Sequence, residues 1–359
     1  MNKKIIDFIG VDLFAGAGGL SLGAKMAGID VVLAIENDKY AASTYAFNHP
    51  ETTVIIDNIQ NINEIKVDSS SNSRRILFGG PPCQGFSYSN QKTRNRKNPS
   101  NWLLNEFTRL IDNWKPDWVL FENVRGFINT ENKLFLNNLL SGFEEKKYTC
   151  TWFVLNAQDY GIPQRRSRFF LVASRHGIKI DIPDSQNTNV NVSQAISDLP
   201  SLPNGANKNY LEYCKSAENE YVEFLRGNLM GCTGHLVTNN SAQIIERYKH
   251  IPPGGNWQDI PEYLMQNYKD RTRCHTGIYY RLNKEEPALT IGNYRKAMLI
   301  HPWENRGLSV REAARLQSFP DSYEFKGSIG FQQQQVGNAV PPLLAKVVFD
   351  KIIDGERGI

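Results

Sequence analysis

Strand-like and helix-like segments alternate along the first half of the chain, and few architectures accept that pattern. Ile5–Leu13 reads as a buried strand, followed by a Gly-rich turn and a helix over about 19–27. Val31–Ile35 is a second strand, and Asp38–Phe47 is an amphipathic helix. Val54–Ile56 is short and apolar, and Ile76–Phe78 is a strand running into Gly79-Gly80-Pro81-Pro82. Helical periodicity spans Trp102–Trp114 and Leu134–Phe143, with strands at Trp118–Phe121, Phe153–Leu155 and Phe169–Ala173. The pattern predicts an α/β fold with a mostly parallel, doubly wound, Rossmann-like sheet, its functional residues at strand C-termini.

After about residue 182 the alternation is lost, and Asn, Ser, Pro and Gly become dense. This composition predicts a smaller, loop-rich second domain. Helical pattern returns over 309–317, with Ser309 as N-cap, and over about 341–353 after Pro341-Pro342. The expected organisation is a first domain at 1–182, a second at 183–321, and a C-terminal segment at 322–359 that rejoins the first. The biased runs Asp68–Ser73 and Gln332–Gln335 are expected to be loop and helix-end surface.

With 359 residues, 40% of them apolar, the chain can bury a sizeable core. No stretch reaches the roughly 18–20 uncharged apolar residues of a membrane span. Met1-Asn2-Lys3-Lys4 leads into a short apolar run holding Asp7, which is not a secretory signal. The five cysteines, at 83, 150, 214, 232 and 274, form no CxxC pair. That excludes zinc ribbons and thioredoxin-type motifs, and no metal is expected. An odd, scattered set points to a reducing compartment.

A net charge of +4, from 41 basic and 37 acidic residues, says little by itself, but its distribution is informative. Residues 88–97 carry Lys92, Arg94, Arg96 and Lys97 without an acid, and residues 164–175 carry Arg165, Arg166, Arg168 and Arg175 likewise. Residues 269–296 hold seven basic against three acidic residues, interleaved with Tyr279, Tyr280 and Tyr294. Such segments suit phosphate contacts.

Asp12-Leu-Phe-Ala-Gly-Ala-Gly-Gly19 lies between the first strand and the first helix. Glycines there let the backbone approach a ligand at the helix N-terminus. The segment departs from a dinucleotide fingerprint, since Ser21 or Leu22 stands where a third glycine is expected. Glu36 ends the second strand, where an acid can accept from ribose hydroxyls, and Asp57 ends the third. The set fits an adenosine-bearing ligand and leaves NAD and S-adenosylmethionine both open.

Cys83 follows Pro81-Pro82 and precedes Gln84-Gly85, a poor core position for a thiol. Phe121-Glu122-Asn123-Val124 places an acid at another strand end. Strand C-termini of a doubly wound sheet share one crevice, so thiol, acid and Gly-turn are expected to meet. Arg166 and Arg168, two apart, would share one strand face. Together they suggest an Arg-anchored electrophile, attacked by thiolate and activated by a carboxylic acid.

These residues resemble the cytosine-C5 DNA methyltransferase family, of the bacterial modification-enzyme type, over nearly the whole chain and in the expected order. The matching segments are Asp12–Gly19, Glu36, Asp57, Pro81-Pro82-Cys83-Gln84, Glu122-Asn123-Val124 and Gln164–Arg168. They continue with Arg311–Pro320 and Gln335–Pro341. The Cys-Phe-Thr tripeptide associated with the tRNA-directed branch is absent, which favours DNA. A nicotinamide oxidoreductase would leave Glu122-Asn-Val and the paired arginines unexplained. A DNA-holding scaffold without chemistry would leave the complete set of reactive residue types unexplained.

The resemblance implies an S-adenosylmethionine-dependent sheet with a target-recognition domain, and a sequence-specific methylation of DNA cytosine at C5 that leaves S-adenosylhomocysteine. It implies that Cys83 adds to C6 of a flipped cytosine, Glu122 holds N3 through a proton, and Arg166 and Arg168 orient the acid and the base O2. Phe14, Gly16, Gly18, Gly19 and Leu20 would line the cofactor, with Glu36 and Asn37 at its ribose and Asp57 and Asn58 at its adenine. Pro82, Leu103, Asn338 and Val340 would complete that pocket. Gln84, Ser87, Lys92, Arg94, Arg96 and Lys97 would contact DNA from a loop closing over the base. Arg271, Arg273, Arg281, Thr290, Arg295 and Lys296, with Asn283 and Asn293, would read or hold DNA from the second domain. The expected partners are double-stranded DNA and a paired restriction endonuclease, with no membrane, for a monomer associated with the nucleoid.

Overall fold

A computed structural model describes residues 7–67, 73–82, 86, 98–186, 188–268 and 275–358, with the backbone alone for 296–297. The chain divides into two compact units. The first holds the chain up to Asn156, Ser167–Ser185 and the segment from Pro342 onward; the second holds Ala157–Arg166 and Gln186–Pro341.

The first unit opens with β1 (Phe8–Leu13), α1 (Gly19–Met26), β2 (Asp30–Glu36), α2 (Lys39–Asn48) and β3 (Thr53–Ile56). It continues with β4 (Arg74–Gly79), α3 (Leu103–Trp114), β5 (Trp118–Val124), α4 (Leu134–Glu145) and β6 (Thr149–Asn156). After β7 (Gln164–Arg165), which lies in the second unit, β8 (Ser167–Ser174) returns to the first. The sheet order is β3-β2-β1-β4-β5-β8-β6. Neighbours from β3 to β5 are parallel, whereas β8 is antiparallel to both β5 and β6. A parallel return needs a crossover of a dozen or more residues. The link Ala157–Arg166 is too short for one, so β8 runs back beside β6.

Val11, Leu13, Leu33, Ile35, Leu77, Phe107, Phe121, Phe127 and Phe169 belong to one buried cluster between this sheet and its helices. The central strands β1, β4, β5 and β8 are buried on both faces, as a doubly covered sheet requires. The C-terminal helix Pro342–Arg357 packs on the same unit, with Phe349 edge-on to Phe78 and Glu356 accepting from Trp118 Nε1 at 2.8 Å. Asp38 caps α2, its Oδ1 accepting from the N–H groups of Tyr40 and Ala41.

The second unit contains α5 (Val192–Ile196), β9 (Leu211–Glu212), α6 (Glu220–Arg226), β10 (Gly231–Cys232) and α7 (Ala242–Lys249). It continues with β11 (Ala288–Leu289), α8 (Tyr294–Ala297), α9 (Val310–Leu316) and α10 (Ile329–Asn338). Ser309 caps α9 in a reciprocal box: Ser309 Oγ accepts from Glu312 N at 3.1 Å, and Glu312 Oε2 accepts from Ser309 N at 2.7 Å. Short elements leave little apolar area, and buried ion pairs brace them. Arg315 joins Asp198 and Asp321, and Arg306 joins Glu312. A separate apolar cluster of Tyr248, Ile251, Ile260, Met265, Tyr279 and Ile300 sits within this unit.

The division differs from the expected 1–182, 183–321 and 322–359. Residues 157–166 and 322–341 lie in the second unit, and the segment of the first begins only at Pro342. Gln164 and Arg166 explain it. Gln164 Nε2 donates to Leu316 O at 3.0 Å, and Arg166 donates to Gly337 O and Ala339 O at 2.9 and 2.8 Å. The glutamine run is also corrected: Gln332, Gln333 and Gln335 are buried, their Nε2 groups donating to Gly327 O, Thr238 Oγ1 and Lys326 O.

Candidate active site

Within the first unit, the turn after β1 passes through left-handed conformations at Phe14, Gly16 and Gly18, with φ of 58°, 56° and 89°. Gly18 is the N-cap of α1 and supplies no side-chain acceptor to its first turn. Glu36, at the end of β2, holds this turn. Its Oε2 accepts from Gly16 N at 2.8 Å, and its Oε1 accepts from Asp38 N at 2.7 Å. Burial raises its pKa above the ordinary carboxylate value, against the pull of those backbone donors. Each oxygen keeps a further lone pair.

Asp57 follows β3, and its Oδ1 accepts from Asn58 N and Asn61 Nδ2 at 2.6 and 2.7 Å. Asn58 Oδ1 accepts from Gln60 N at 3.1 Å, capping a single 3₁₀ turn. Phe14 and Leu103 are partly buried against the main core, Asn37 is exposed, and Leu20 and Gly19 are buried. Ile56, beside Asp57, is 58% exposed, a large apolar side chain left open at a strand end. Its signal in sequence was only its place before the acid. Asn338 and Val340 lie in the second unit, Asn338 exposed and Val340 buried.

Beneath the turn, Asp12 is fully buried. Ser21 Oγ donates to its Oδ2, and Tyr45 OH donates to Ser21 Oγ, both at 2.6 Å. Burial pushes the Asp12 carboxyl up to about 8.

β4 and β5 carry the reactive segments. A Cβ on Gly79 would stand 2.0 Å from Leu13 O, and one on Gly80 would stand 2.5 Å from Glu122 Oε2. The backbone at the end of β1 therefore requires glycine at 79, whereas a Cβ at 80 would force the Glu122 carboxylate to shift. Pro81 is buried and Pro82 partly so. Cys83, Gln84, Ser87, Lys92, Arg94, Arg96 and Lys97 lie outside the described residues. Glu122 is nearly buried, and Arg168 Nε stands 3.0 Å from its Oε1. The antiparallel register pairs Val124 with Arg168, which brings the guanidinium to the acid.

Arg166 belongs to neither strand. It lies between β7 and β8, where strand periodicity is broken, and it is 1% exposed. Its guanidinium donates to Ile291 O, Gly337 O and Ala339 O within the second unit. Within its own unit the guanidinium braces the backbone at Ile291, Gly337 and Ala339.

In the second unit, Arg281 is also corrected. It is buried, and its guanidinium donates to Ile251 O, Tyr248 O, His301 O, Glu304 O and Asn305 Oδ1. Those donors serve the protein interior and not a nucleic acid. Thr290 is exposed and donates to Arg165 O at 2.6 Å; Asn293 and Arg295 are exposed, and Asn283 binds Glu286 and Glu285 N. Arg271 and Arg273, and the side chain of Lys296, fall outside the described residues. Among the described residues no group of three or more His, Cys, Asp or Glu is placed to hold a metal, and no helix is long and apolar enough to cross a membrane.

Residues 8–354 match the family model of the C-5 cytosine-specific DNA methylases. The chain belongs to this family. Type II methyltransferase M.DdeI of Desulfomicrobium norvegicum is 33% identical to it, over 95% of this chain and 88% of that protein. Type II methyltransferase M1.HphI of Haemophilus parahaemolyticus is 34% identical, over 96% and 86%. A solved structure described as a candidate DNA modification methyltransferase from an E. coli prophage superposes with a TM-score of 0.78 at 26% identity, over 98% and 99% of the two chains. The protein is thus a DNA (cytosine-5-)-methyltransferase with the α/β fold of S-adenosylmethionine-dependent enzymes. Its substrate is DNA and its methyl donor is S-adenosylmethionine.

Proposed function

We propose that this methyltransferase is a sequence-specific modification enzyme of Type II, acting on a flipped cytosine through a covalent Cys83 adduct. The observation that carries the chemistry is the Glu122–Arg168 pair, packed against Gly80 directly ahead of Pro81-Pro82-Cys83. The positively bent turn at Phe14–Gly18, the Glu36 carboxylate and the open Ile56 side chain fit an adenosine-bearing donor. When bound, S-adenosylmethionine supplies an electrophilic methyl on sulfonium sulfur. Gly16, Gly18, Gly19 and the α1 N-terminus would line its pocket, with Glu36 to hold its ribose and Asp57 its adenine.

The Cys83 thiolate forms a bond to C6 of cytosine. Glu122 holds a proton at N3, so charge from that addition does not accumulate on the ring, and C5 becomes nucleophilic. Arg168 fixes the acid's orientation. C5 takes the methyl group, with S-adenosylhomocysteine as the leaving group, and loss of the C5 proton then restores the C5–C6 double bond and expels the thiolate, leaving 5-methylcytosine. C6 of a stacked base is inaccessible, so the base leaves the duplex at a cost of about a few kcal/mol, least where pairing is weak. Lys92, Arg94, Arg96 and Lys97 hold phosphates of the same duplex. The Type II names of the relatives support a restriction–modification setting. A paired endonuclease and a cytoplasmic, monomeric enzyme belong to the same proposal.

The test is trapping. Duplex carrying 5-fluorocytosine at the target cannot release fluorine as the C5 proton is released. With S-adenosylmethionine present, a denaturing gel should show enzyme shifted by the mass of DNA, and Cys83→Ser should abolish the shift. An active enzyme that shows no adduct would overturn the covalent route.

A further inference from the structure

We infer that Asn123 is a positioning residue for the thiol, its carboxamide holding the backbone at Pro81 in place of a strand hydrogen bond. The inference rests on the covalent reading above. The β4–β5 ladder ends at the pair Gly79 and Phe121. Beyond it, after Gly80, come Pro81 and Pro82, and neither proline has an N–H to offer a neighbouring strand. Asn123, 1% exposed, bridges the gap: its Nδ2 donates to Pro81 O at 3.2 Å, and its Oδ1 accepts from Val124 N at 2.9 Å.

The chemistry of the site selects asparagine. Pro81 is buried, and its carbonyl needs a donor, while Val124 N needs an acceptor. A carboxamide supplies both; a carboxylate supplies only acceptors. The two residues flanking the bridge are the reactive ones. Glu122 precedes Asn123 on β5, and Cys83 lies two positions after Pro81. The bridge therefore fixes the separation between the strand end that carries the acid and the strand end that leads to the nucleophile.

The experiment reads the addition step by itself. In duplex carrying cytosine tritiated at C5, and without methyl donor, thiolate addition to C6 lets C5 take a solvent proton. Reversal then releases tritium to water. Asn123→Asp keeps the acceptor for Val124 and removes the donor for Pro81, and Asn123→Ala removes both. Misplacement of a reacting group by about 1 Å costs on the order of 10²-fold. Both variants should lose tritium release and methyl transfer by the same factor, of that order. Dissociation constants for S-adenosylmethionine and duplex should stay within twofold of wild type, measured on the full chain. Tritium release within twofold of wild type in Asn123→Asp would overturn the inference. So would a loss of cofactor affinity as large as the loss of rate, which marks a purely structural role. Wild type that methylates without releasing tritium would instead overturn the covalent reading beneath it.

Discussion

Glu122 and Asp12 are both buried carboxyls, yet their surroundings assign them different work. Glu122 faces Arg168 at 3.0 Å and packs on Gly80, the geometry on which its proposed role as the acid rests. Glu122→Gln keeps a hydrogen bond to N3 but has no proton to give. A loss of roughly 10²–10⁴ in methylation rate is expected with duplex affinity retained. Equal losses of rate and affinity, measured by single turnover and by titration, would make its role structural. Gly80→Ala should act through the same acid, since the new Cβ would stand 2.5 Å from Glu122 Oε2. It should slow methyl transfer while leaving S-adenosylmethionine binding near wild type, as read by calorimetry.

Asp12 accepts a hydrogen bond from Ser21 Oγ, and burial raises its pKa from 3.8 to about 8. A carboxyl whose folded pKa is raised contributes stability that is complete below its unfolded value and is lost as pH rises through the folded one. Thermal melts should therefore show a component of stability that declines between about pH 4 and pH 8. Asp12→Asn should flatten that component; an unchanged profile would show that Asp12 does not titrate in this range.

At the scale of elements, what sequence could anticipate follows from what produces periodicity. Strands β1–β5 and helices α1–α4 of the first unit carry apolar residues on a regular spacing. Their positions, and the acids and glycines at their ends, were therefore readable. Ser309 and Glu312 announced α9 by their spacing, and the capping box is present; Ser309→Ala should cost about 1 kcal/mol in denaturant melts. Where partners come from distant segments, periodicity carried no information. Arg166 was placed on a strand face, but the strand breaks there and carbonyls from Ile291, Gly337 and Ala339 claim it. Arg281 and the glutamines of α10 are polar residues buried by carbonyls and hydroxyls that no local pattern could reveal. The reversed direction of β8 follows from the length of a link, not from the strand itself. The basic run 88–97, outside the described residues, is best tested electrostatically. Replacing Lys92, Arg94, Arg96 and Lys97 together should reduce the log–log salt slope of duplex binding by up to about three to four. An unaltered slope would make the run solvated surface.

For the whole molecule, the two units carry different chemistry. The first holds the donor turn, the acid and its arginine; the second is built from short elements braced by buried ion pairs, with Thr290, Asn293 and Arg295 at its surface. Target choice is accordingly expected to travel with the second unit. A chimera taking residues 183–307 from a relative of different target should methylate the relative's sequence, as mapped by bisulfite conversion; an active chimera keeping the original target would refute this.

The central claim is that methyl passes to C5 of cytosine by way of Cys83. Its most direct measurement uses S-adenosylmethionine tritiated in the methyl group, a duplex library, and nucleoside analysis of the digested product. All label should elute as 5-methylcytosine, and Cys83→Ser should incorporate none while still binding donor and duplex. Label in N4-methylcytosine or a methylated adenine, or turnover by Cys83→Ser within tenfold of wild type, would contradict the account.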